Sequence, residues 1–251
     1  MFPIRDENPT IRTPVATLGL IGLNLLIWIF VQGAGSEVPL VKSLCLYSLI
    51  PGELLNSAPV GTRLQLTDDL VCVLDGKESL STLITHAFLH GSWFHIISNL
   101  WFLWIFGDNV EDAMGPFRFL GFYAICILAA AGAQIMADPG AITPMVGASG
   151  AIGGVMGAYA RLYPRAYVHT LIPLGFFITT AAIPAVYMLG YWFFLQLISA
   201  VPAIGGPAQI AFWAHAGGFV AGLLLIKPIS RQDYLDEHNR LTPNQSAKYR
   251  L

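Results

Sequence analysis

An all-α membrane protein is the fold class that the sequence predicts, and its composition and hydrophobic patterning both point there. Of the 251 residues, 55% are hydrophobic and 11% are charged, and the mean hydropathy is +0.62. Soluble domains carry roughly 25% charged residues. Such an excess of apolar side chains cannot be hidden in one aqueous core, so the chain needs a lipid bilayer around it.

Six apolar segments, each ended by charge, proline or glycine, predict six transmembrane helices. They cover about 14–31, 93–106, 117–136, 149–160, 180–200 and 207–226. The membrane domain is therefore expected over 14–227, after an N-terminal segment 1–13 and before a polar, loose tail 228–251. A cleaved signal peptide is the alternative for the first segment. Its apolar run of about 18 residues is longer than the usual run of about 7–15.

Charge predicts the orientation in the membrane. With six spans, ten of the 13 lysines and arginines lie on the side that holds both termini, and three lie in the long first loop. By the positive-inside rule both termini are cytoplasmic in a multi-pass protein of the cell membrane. The first loop, about 32–92, is then external. Its mixture of apolar stretches and polar turns places it partly in the membrane interface.

Charge and cysteine content narrow the possible partners. The net charge is −2 and the sequence contains no basic run, so we expect no nucleic acid partner. The three cysteines show neither CxxC spacing nor a zinc pattern. Cys45 and Cys72 both fall in the external loop and could form a disulfide, which would stabilise the fold by about 3 kcal/mol if unstrained. Spacing alone leaves this pairing open.

The stretch MVGASGAIGG, residues 145–154, places one hydroxyl among small and apolar residues. Ser149 lies 12 residues before Arg161, which is roughly 18 Å of helix against a hydrocarbon core of about 30 Å. The fourth helix is thus expected to begin below the external surface, reached by an irregular segment that dips into the membrane. Irregular backbone at that depth requires protein or a water-filled cavity around it.

Two histidines fall at the same depth. His215 lies 12 residues before the lysine that ends the sixth segment, and His95 lies 13 residues before the first aspartate after the second segment. Asn99 lies one turn beyond His95 on the same helix face. Ionisable groups inside spans are costly and usually functional. Read alone, Ser149 is more typical of helix packing, because Gly150 and the glycines after it have the four-residue spacing of close helix contact.

Together these residue types suit acyl transfer. A serine hydroxyl becomes a nucleophile when a neighbouring histidine takes its proton, and a tetrahedral intermediate needs donors for its oxyanion. Free N–H groups at a helix start would supply some donors, with His95 and Asn99 adding others. No carboxylate lies at this depth, so a dyad of Ser149 and His215 is favoured over a triad. A dyad requires no metal and no cofactor, and we predict none.

A metal site is the rival interpretation for the histidines. His86, His90 and His95 are spaced by four and five residues and could approach one another. The sequence contains no HExxH motif, and no carboxylate follows at ligand spacing. We therefore favour the dyad.

The motifs of these segments resemble the rhomboid family of intramembrane serine proteases. The similar stretches are GASG at 147–150, AHAGG at 214–218, His95-x3-Asn99, Gly107-x3-Glu111-x3-Gly115-x2-Arg118 and WFFLQ at 192–196. The resemblance covers about 12–227 in the family's order. It implies a rhomboid-like bundle of six transmembrane helices that cleaves transmembrane segments of other membrane proteins within the lipid bilayer.

By this resemblance Ser149 is the nucleophile, His215 the general base, and His95 and Asn99 help to bind the oxyanion. Gly217 and Ala221 would bring the fourth and sixth helices together. The fifth helix would act as a side gate that closes on the second through aromatic residues, namely Trp192, Phe193, Trp101 and Trp104.

Two features depart from the family's pattern. Some members have a tyrosine four residues after the serine, where this chain has Gly153, and many have a Trp-Arg pair in the first loop, which here contains no tryptophan. How the base is oriented is therefore open, as are the substrate and the oligomeric state. Non-catalytic relatives that act as membrane scaffolds typically lack the serine or the histidine. A small-solute transporter would need coupling carboxylates in its spans, and this chain has none there.

Overall fold

The computed structural model describes residues 2–76, 79–174, 177–199 and 211–242. Ten α-helices, two short 3-10 helices (Gly33–Gly35 and His86–Phe88) and five strands lie in this part of the chain. The helices are α1 (Val15–Phe30), α2 (Glu37–Tyr47), α3 (Pro51–Leu54), α4 (Thr82–Thr85), α5 (Trp93–Asp112), α6 (Pro116–Ala137), α7 (Ser149–Leu162), α8 (Ala185–Ser199), α9 (Phe212–Ile229) and α10 (Gln232–Leu241). The strands are β1 (Phe2–Asp6), β2 (Arg63–Gln65), β3 (Val71–Val73), β4 (Tyr167–Leu174) and β5 (Phe177–Pro184).

Helix α7 lies at the centre of the molecule. Its residues from Gly150 to Ala160 are all buried, and it packs against α5, α6, α8 and α9. Its small side chains allow this, because glycine and alanine let neighbouring backbones approach closely. The outer helices instead expose large apolar side chains, such as Phe30, Phe94 and Leu224. The core is therefore a buried helix, and the apolar exterior is that of a protein surrounded by lipid.

Two helices of the described chain are long and apolar enough to cross a membrane by their length and composition. They are α6 and α9, and α1 and α8 are shorter helices of similar character. Apart from the fifth, each predicted segment corresponds to a helix over the described part of the chain, within three residues at its ends, except that α5 continues six residues beyond the second segment, to Asp112. The start of the sixth, 207–210, lies outside the described residues.

The fifth segment corrects the sequence prediction at its start. Residues expected to begin a helix near Thr180 instead form β5, which pairs antiparallel with β4, and the helix begins only at Ala185. Proline lacks the N–H that a helix interior needs, and β-branched threonines favour extended backbone, so the stretch before Pro184 is a strand. Strand β1 pairs with β4 to complete a three-stranded sheet.

The C-terminal segment also differs from the expectation of a loose tail. Residues Gln232–Leu241 form α10, which buries Leu235 and His238 on one face. His238 Nδ1 lies 3.2 Å from Asp112 Oδ2, and the Arg12 guanidinium lies 3.1 Å from the other oxygen of Asp112 and over the ring of Tyr234. We call the part of the molecule that holds β1, β4, β5 and α10 the sheet end.

Glu111 joins α5 to the start of α1. Its two carboxylate oxygens accept from the Ala16 N–H at 2.9 Å, from the Thr17 N–H at 2.8 Å and from the Thr17 hydroxyl at 2.8 Å. A helix start leaves N–H groups without partners inside the helix, and a carboxylate there is also favoured by the helix dipole. Glu111, from the motif Gly107-x3-Glu111-x3-Gly115-x2-Arg118 at the end of α5, thus caps the start of a different helix, α1.

Residues 32–92 form the opposite part of the molecule, which we call the loop end. They contain α2, α3, α4 and the hairpin of β2 and β3. A disulfide joins Cys45 to Cys72, whose Cα atoms are 5.6 Å apart, and so ties α2 to the hairpin. The pairing that spacing left open is therefore formed, because α2 packs against β3 and brings the two thiols together.

Candidate active site

Ser149 is the first residue of α7, and an irregular segment, 138–148, leads to it. Hydrogen bonds from the loop end hold the backbone of that segment. Met145 exchanges two with Leu49, the carbonyl of Ala141 accepts from the Gly52 N–H, and the Gly147 N–H donates to a carbonyl of the loop end. Met145, Gly147 and Ala148 are buried, so these partners hold the backbone just before Ser149 inside the protein. The first loop therefore supports the residues that position Ser149.

Ser149 and His215 meet between α7 and α9. The Ser149 Oγ lies 2.7 Å from His215 Nε2, although the two residues are 66 apart in sequence. The closeness of the two backbones makes this possible. A Cβ on Gly218 would lie 1.8 Å from the carbonyl oxygen of Gly150, and one on Gly222 would lie 1.8 Å from that of Gly154.

The glycines that make this contact differ from the predicted pair. Gly217 faces α6, where an added Cβ would lie 2.3 Å from the Ala133 Cβ and 3.1 Å from the Ala129 carbonyl oxygen. Residues one position apart on a helix point about 100° apart, so Gly218 and Gly222 face α7 while Gly217 faces the other neighbour. The prediction that Gly217 joins the fourth and sixth helices was wrong by one position.

His95 points toward Ser149 from α5, whose start is capped by the Ser92 hydroxyl accepting from the His95 N–H at 3.1 Å. The His95 Nδ1 accepts from the Gly91 N–H at 3.4 Å, so the proton of the neutral ring lies on Nε2. Gly147 has a φ of +121°, and an added Cβ there would lie 2.7 Å from His95 Nε2 and 3.5 Å from Ser149 Oγ. Glycine at this position thus leaves open the space between the two side chains.

Asn99 contributes a second side-chain donor. It is 6% exposed, and its Nδ2 is buried with no hydrogen-bond partner in the described part of the chain. A buried amide donor without a partner costs free energy, and Asn99 lines the same cavity as Ser149 and His215. The N–H groups of α7 before Ile152 lie in the same region and have no carbonyl partner within their helix.

These side chains line one cavity of about 1000 Å³. Residues 140–147 form its wall at the loop end, and the cavity extends between α5, α6, α8 and α9. Its polar lining includes Ser149, His215, His95, Asn99, Gln134 and Gln196. A cavity of this size, mainly apolar with a few convergent polar groups, is typical of a ligand or substrate site.

The histidines of the rival metal interpretation do not form a ligand set. His86 Nδ1 lies 2.8 Å from the Thr82 carbonyl oxygen, and the rings of His90 and His95 contact edge to face at 5.0 Å. Burial lowers the pKa of His86 to about 4 and that of His90 to about 3. Among the described residues, no three histidine, cysteine or acidic side chains converge so that they could hold a metal ion.

The aromatic residues of α8 lie differently from the predicted gate. Phe193 stacks on Phe219 of α9 at 4.6 Å, and Trp192 faces a small cleft beside Phe102 of α5. Trp101 instead stacks on Phe2 and donates to a β1 carbonyl at 2.7 Å, while Trp104 is exposed on the outside. Positions 101 and 104 therefore lie on other faces of α5 than Phe102.

One residue of the site had no assigned role in the sequence interpretation. Gln196 accepts a hydrogen bond from His215, with 2.8 Å between Gln196 Oε1 and His215 Nδ1. The sequence motif WFFLQ contains this residue. A glutamine within an otherwise apolar span is a signal that could have found it, because polar side chains in spans usually bond to a neighbouring helix.

These observations define a class of protein: a helical membrane protein with a half-buried serine–histidine pair in its cavity. The family model described as the Rhomboid domain matches residues 77–232, more than half of the chain. The chain therefore belongs to the rhomboid family, and the resemblance of its motifs is confirmed.

One relative is Rhomboid protein 1, mitochondrial, of Saccharomyces cerevisiae. It is 30% identical over 98 residues, which are 38% of this chain and 28% of the relative's length. The similarity therefore covers less than a third of that protein.

Proposed function

We propose that this protein is an intramembrane serine endopeptidase that cleaves transmembrane segments of other membrane proteins. The observation that carries the proposal is the distance of 2.7 Å between Ser149 Oγ and His215 Nε2 inside a cavity, at the start of a buried helix. Membership of the rhomboid family supports the same reaction. The proposed substrates are transmembrane proteins that lie in the same lipid bilayer.

In the proposed reaction His215 Nε2 takes the hydroxyl proton as Ser149 Oγ attacks the scissile carbonyl. The carbonyl oxygen becomes an oxyanion that accepts from the α7 N–H groups, His95 Nε2 and Asn99 Nδ2. The imidazolium then gives its proton to the leaving amine, and an acyl-enzyme remains. Water, deprotonated by the same histidine, hydrolyses the acyl-enzyme and regenerates the serine.

The membrane arrangement is part of the proposal. Helices α1, α5, α6, α8 and α9 cross the bilayer and α7 crosses part of it, with the sheet end and both termini in the cytoplasm of a cell-membrane protein. The distribution of lysine and arginine supports this orientation. Helix α7 has 14 residues, about 21 Å, so it spans only part of the hydrocarbon core of about 30 Å and starts at depth. In this arrangement residues 14–227 form the membrane domain.

Cysteine labelling in intact cells tests the orientation. A membrane-impermeant thiol reagent should modify Val60→Cys, at an exposed position of the loop end, and leave Asn244→Cys unmodified until the cells are opened. Labelling of Asn244→Cys in intact cells would show that the C-terminal segment is external and would contradict the proposed orientation.

The reaction is tested with purified protein in liposomes and a model transmembrane substrate. Ser149→Ala and His215→Ala should each abolish cleavage, and a fluorophosphonate should label the wild type but not Ser149→Ala. Ser98→Ala is the matched control, because Ser98 lines the same cavity but its hydroxyl donates to the carbonyl of its own helix. Cleavage by Ser149→Ala would refute the proposal, and an inactive, unlabelled wild type would favour a non-catalytic scaffold.

A further inference from the structure

His215 makes a polar contact through each of its ring nitrogens. Nε2 faces Ser149, and Nδ1 lies 2.8 Å from Gln196 Oε1 on α8. A general base must present an unprotonated Nε2 to the serine, so the single proton of the neutral ring has to lie on Nδ1. An amide oxygen can only accept, so Gln196 Oε1 favours the tautomer that has this proton.

A second residue of α8, Trp192, lies beside the His215 ring. Trp192 lies one turn before Gln196, on the same helix face, and its ring centroid is 5.9 Å from that of His215. The Trp192 Cη2 would lie 3.7 Å from a Cβ placed on Gly153. The tryptophan therefore fills space toward which a side chain at position 153 would extend. In this chain α8, and not α7, flanks the base.

We propose that Gln196 is the positioning residue of the base: it fixes the Nδ1–H tautomer and the orientation of His215. This inference rests on the proposed function and names a third participant in it. The nucleophile comes from α7, the base from α9 and the acceptor behind the base from α8. Each ring nitrogen of His215 then has one partner: Nε2 has the Ser149 hydroxyl and Nδ1 has the Gln196 amide oxygen.

Gln196 is uncharged, which suits its position between apolar helices. A carboxylate behind the base would stabilise the imidazolium more strongly, but an ionised carboxylate between apolar helices is costly. Among the described residues that line the cavity, the only carboxylate belongs to Asp138, outside the helices. A glutamine offers an oxygen acceptor at 2.8 Å without this charge. The arrangement therefore favours a correctly oriented base over a strongly basic one.

The test compares three variants in liposomes. Gln196→Met keeps the length of the side chain and removes the acceptor, and we expect kcat to fall about 10- to 100-fold, part of the roughly 10²–10⁴ that a positioned base contributes, with KM changed less than twofold. Gln196→Glu restores an oxygen acceptor, retains at least a tenth of wild-type kcat and moves the acid limb of the kcat–pH profile to higher pH. Gln232→Met, the same substitution at an exposed glutamine of α10 away from the cavity, leaves kcat within threefold of wild type.

A second measurement does not depend on turnover. In folded protein labelled with ¹⁵N-histidine, the His215 resonances, assigned by their loss in His215→Asn, should report a proton on Nδ1 in the wild type and a shift toward the Nε2–H tautomer in Gln196→Met. An unchanged tautomer in Gln196→Met, or wild-type kcat in that variant, would overturn the inference. So would a Gln196→Glu variant whose acid limb stays in place. A wild type that has the Nδ1–H tautomer but no proteolysis would refute the proposed function while the positioning role of Gln196 still stands.

Discussion

The side-chain amide of Asn99 faces a candidate oxyanion site but has no hydrogen-bond partner among the described residues. Its Nδ2 is buried on α5, lines the cavity and bonds to nothing in the described part of the chain. Asn24, which is also fully buried, differs: its Nδ2 donates to the Leu20 carbonyl at 2.8 Å within α1. The Asn24 amide N–H is thus bonded within its own helix, and the Asn99 amide N–H is available to donate to a developing negative charge.

From this difference we expect Asn99→Ala to lower kcat by about 10- to 100-fold, at or below the low end of the roughly 10²–10³ measured for one oxyanion donor elsewhere. The backbone N–H groups of α7 and His95 remain, so turnover is reduced and not lost. Turnover and thermal unfolding in detergent are measured together. The control, Asn24→Ala, should lower the unfolding temperature and leave kcat unchanged. If Asn99→Ala behaved in the same way, the residue would only pack helices.

Among the elements, the contact of α7 with α9 decides whether the site exists. No side chain separates the two backbones at Gly218 and Gly222, since a Cβ on either would overlap a carbonyl oxygen of α7. The distance between Ser149 and His215 depends on that approach. The contact between Ser149 and His215 thus requires these small residues, which also allow the helices to pack closely.

Gly218→Ala should therefore push the helices apart, destabilise the fold by about 1–3 kcal/mol and reduce cleavage at least tenfold. The unfolding temperature and fluorophosphonate labelling of Ser149 are the measurements. Gly121→Ala is the matched control, because no atom lies within 4 Å of a Cβ at that position of α6. Wild-type labelling by a folded Gly218→Ala protein would contradict the role assigned to the seam.

In the whole molecule, the sheet end joins the N-terminal strand to the helix bundle through half-buried carboxylates. The Tyr159 hydroxyl of α7 donates to Asp6 Oδ2 at 2.5 Å, and the Thr10 hydroxyl donates to Asp108 Oδ2 at 2.6 Å. Burial raises the pKa of Asp6 from 3.8 to about 7. This carboxyl group is held in a place that disfavours its charge.

This predicts a pH-dependent stability with a definite sign. The unfolded chain releases the Asp6 proton near pH 4 and the folded chain near pH 7, so the stabilising contribution is complete below about pH 4 and is lost as the pH rises through 7. Asp6→Asn keeps an acceptor for Tyr159 and cannot ionise. The free energy of unfolding of Asp6→Asn relative to wild type should increase between pH 4 and 7 and then level off at on the order of 4 kcal/mol.

Unfolding in detergent across this pH range measures the difference. Asp68→Asn, the same change at an exposed carboxylate of the loop end, should give no such increase. A difference between Asp6→Asn and wild type that is constant with pH would show that Asp6 is not held neutral in the folded protein.

The sequence by itself determined where along each helix the polar residues lie. A helix rises about 1.5 Å per residue, so counting from a charged boundary to Ser149, His215 or His95 gives a depth without any knowledge of neighbours. The apolar segments likewise determined the principal helices, because a membrane requires long apolar runs. The fold class and the residues of the candidate site could both be predicted in this way.

The tertiary structure alone decided how each helix is rotated and what it meets. Gly218 rather than Gly217 faces α7, Phe102 rather than Trp101 faces α8, and Gln196 reaches His215 from a third helix. The strand before Pro184 and the helix after Arg231 likewise depend on partners distant in sequence. Depth is a property of one helix and follows from its own residues. Rotation and pairing are set by packing among several helices at once, and a single sequence does not list those contacts.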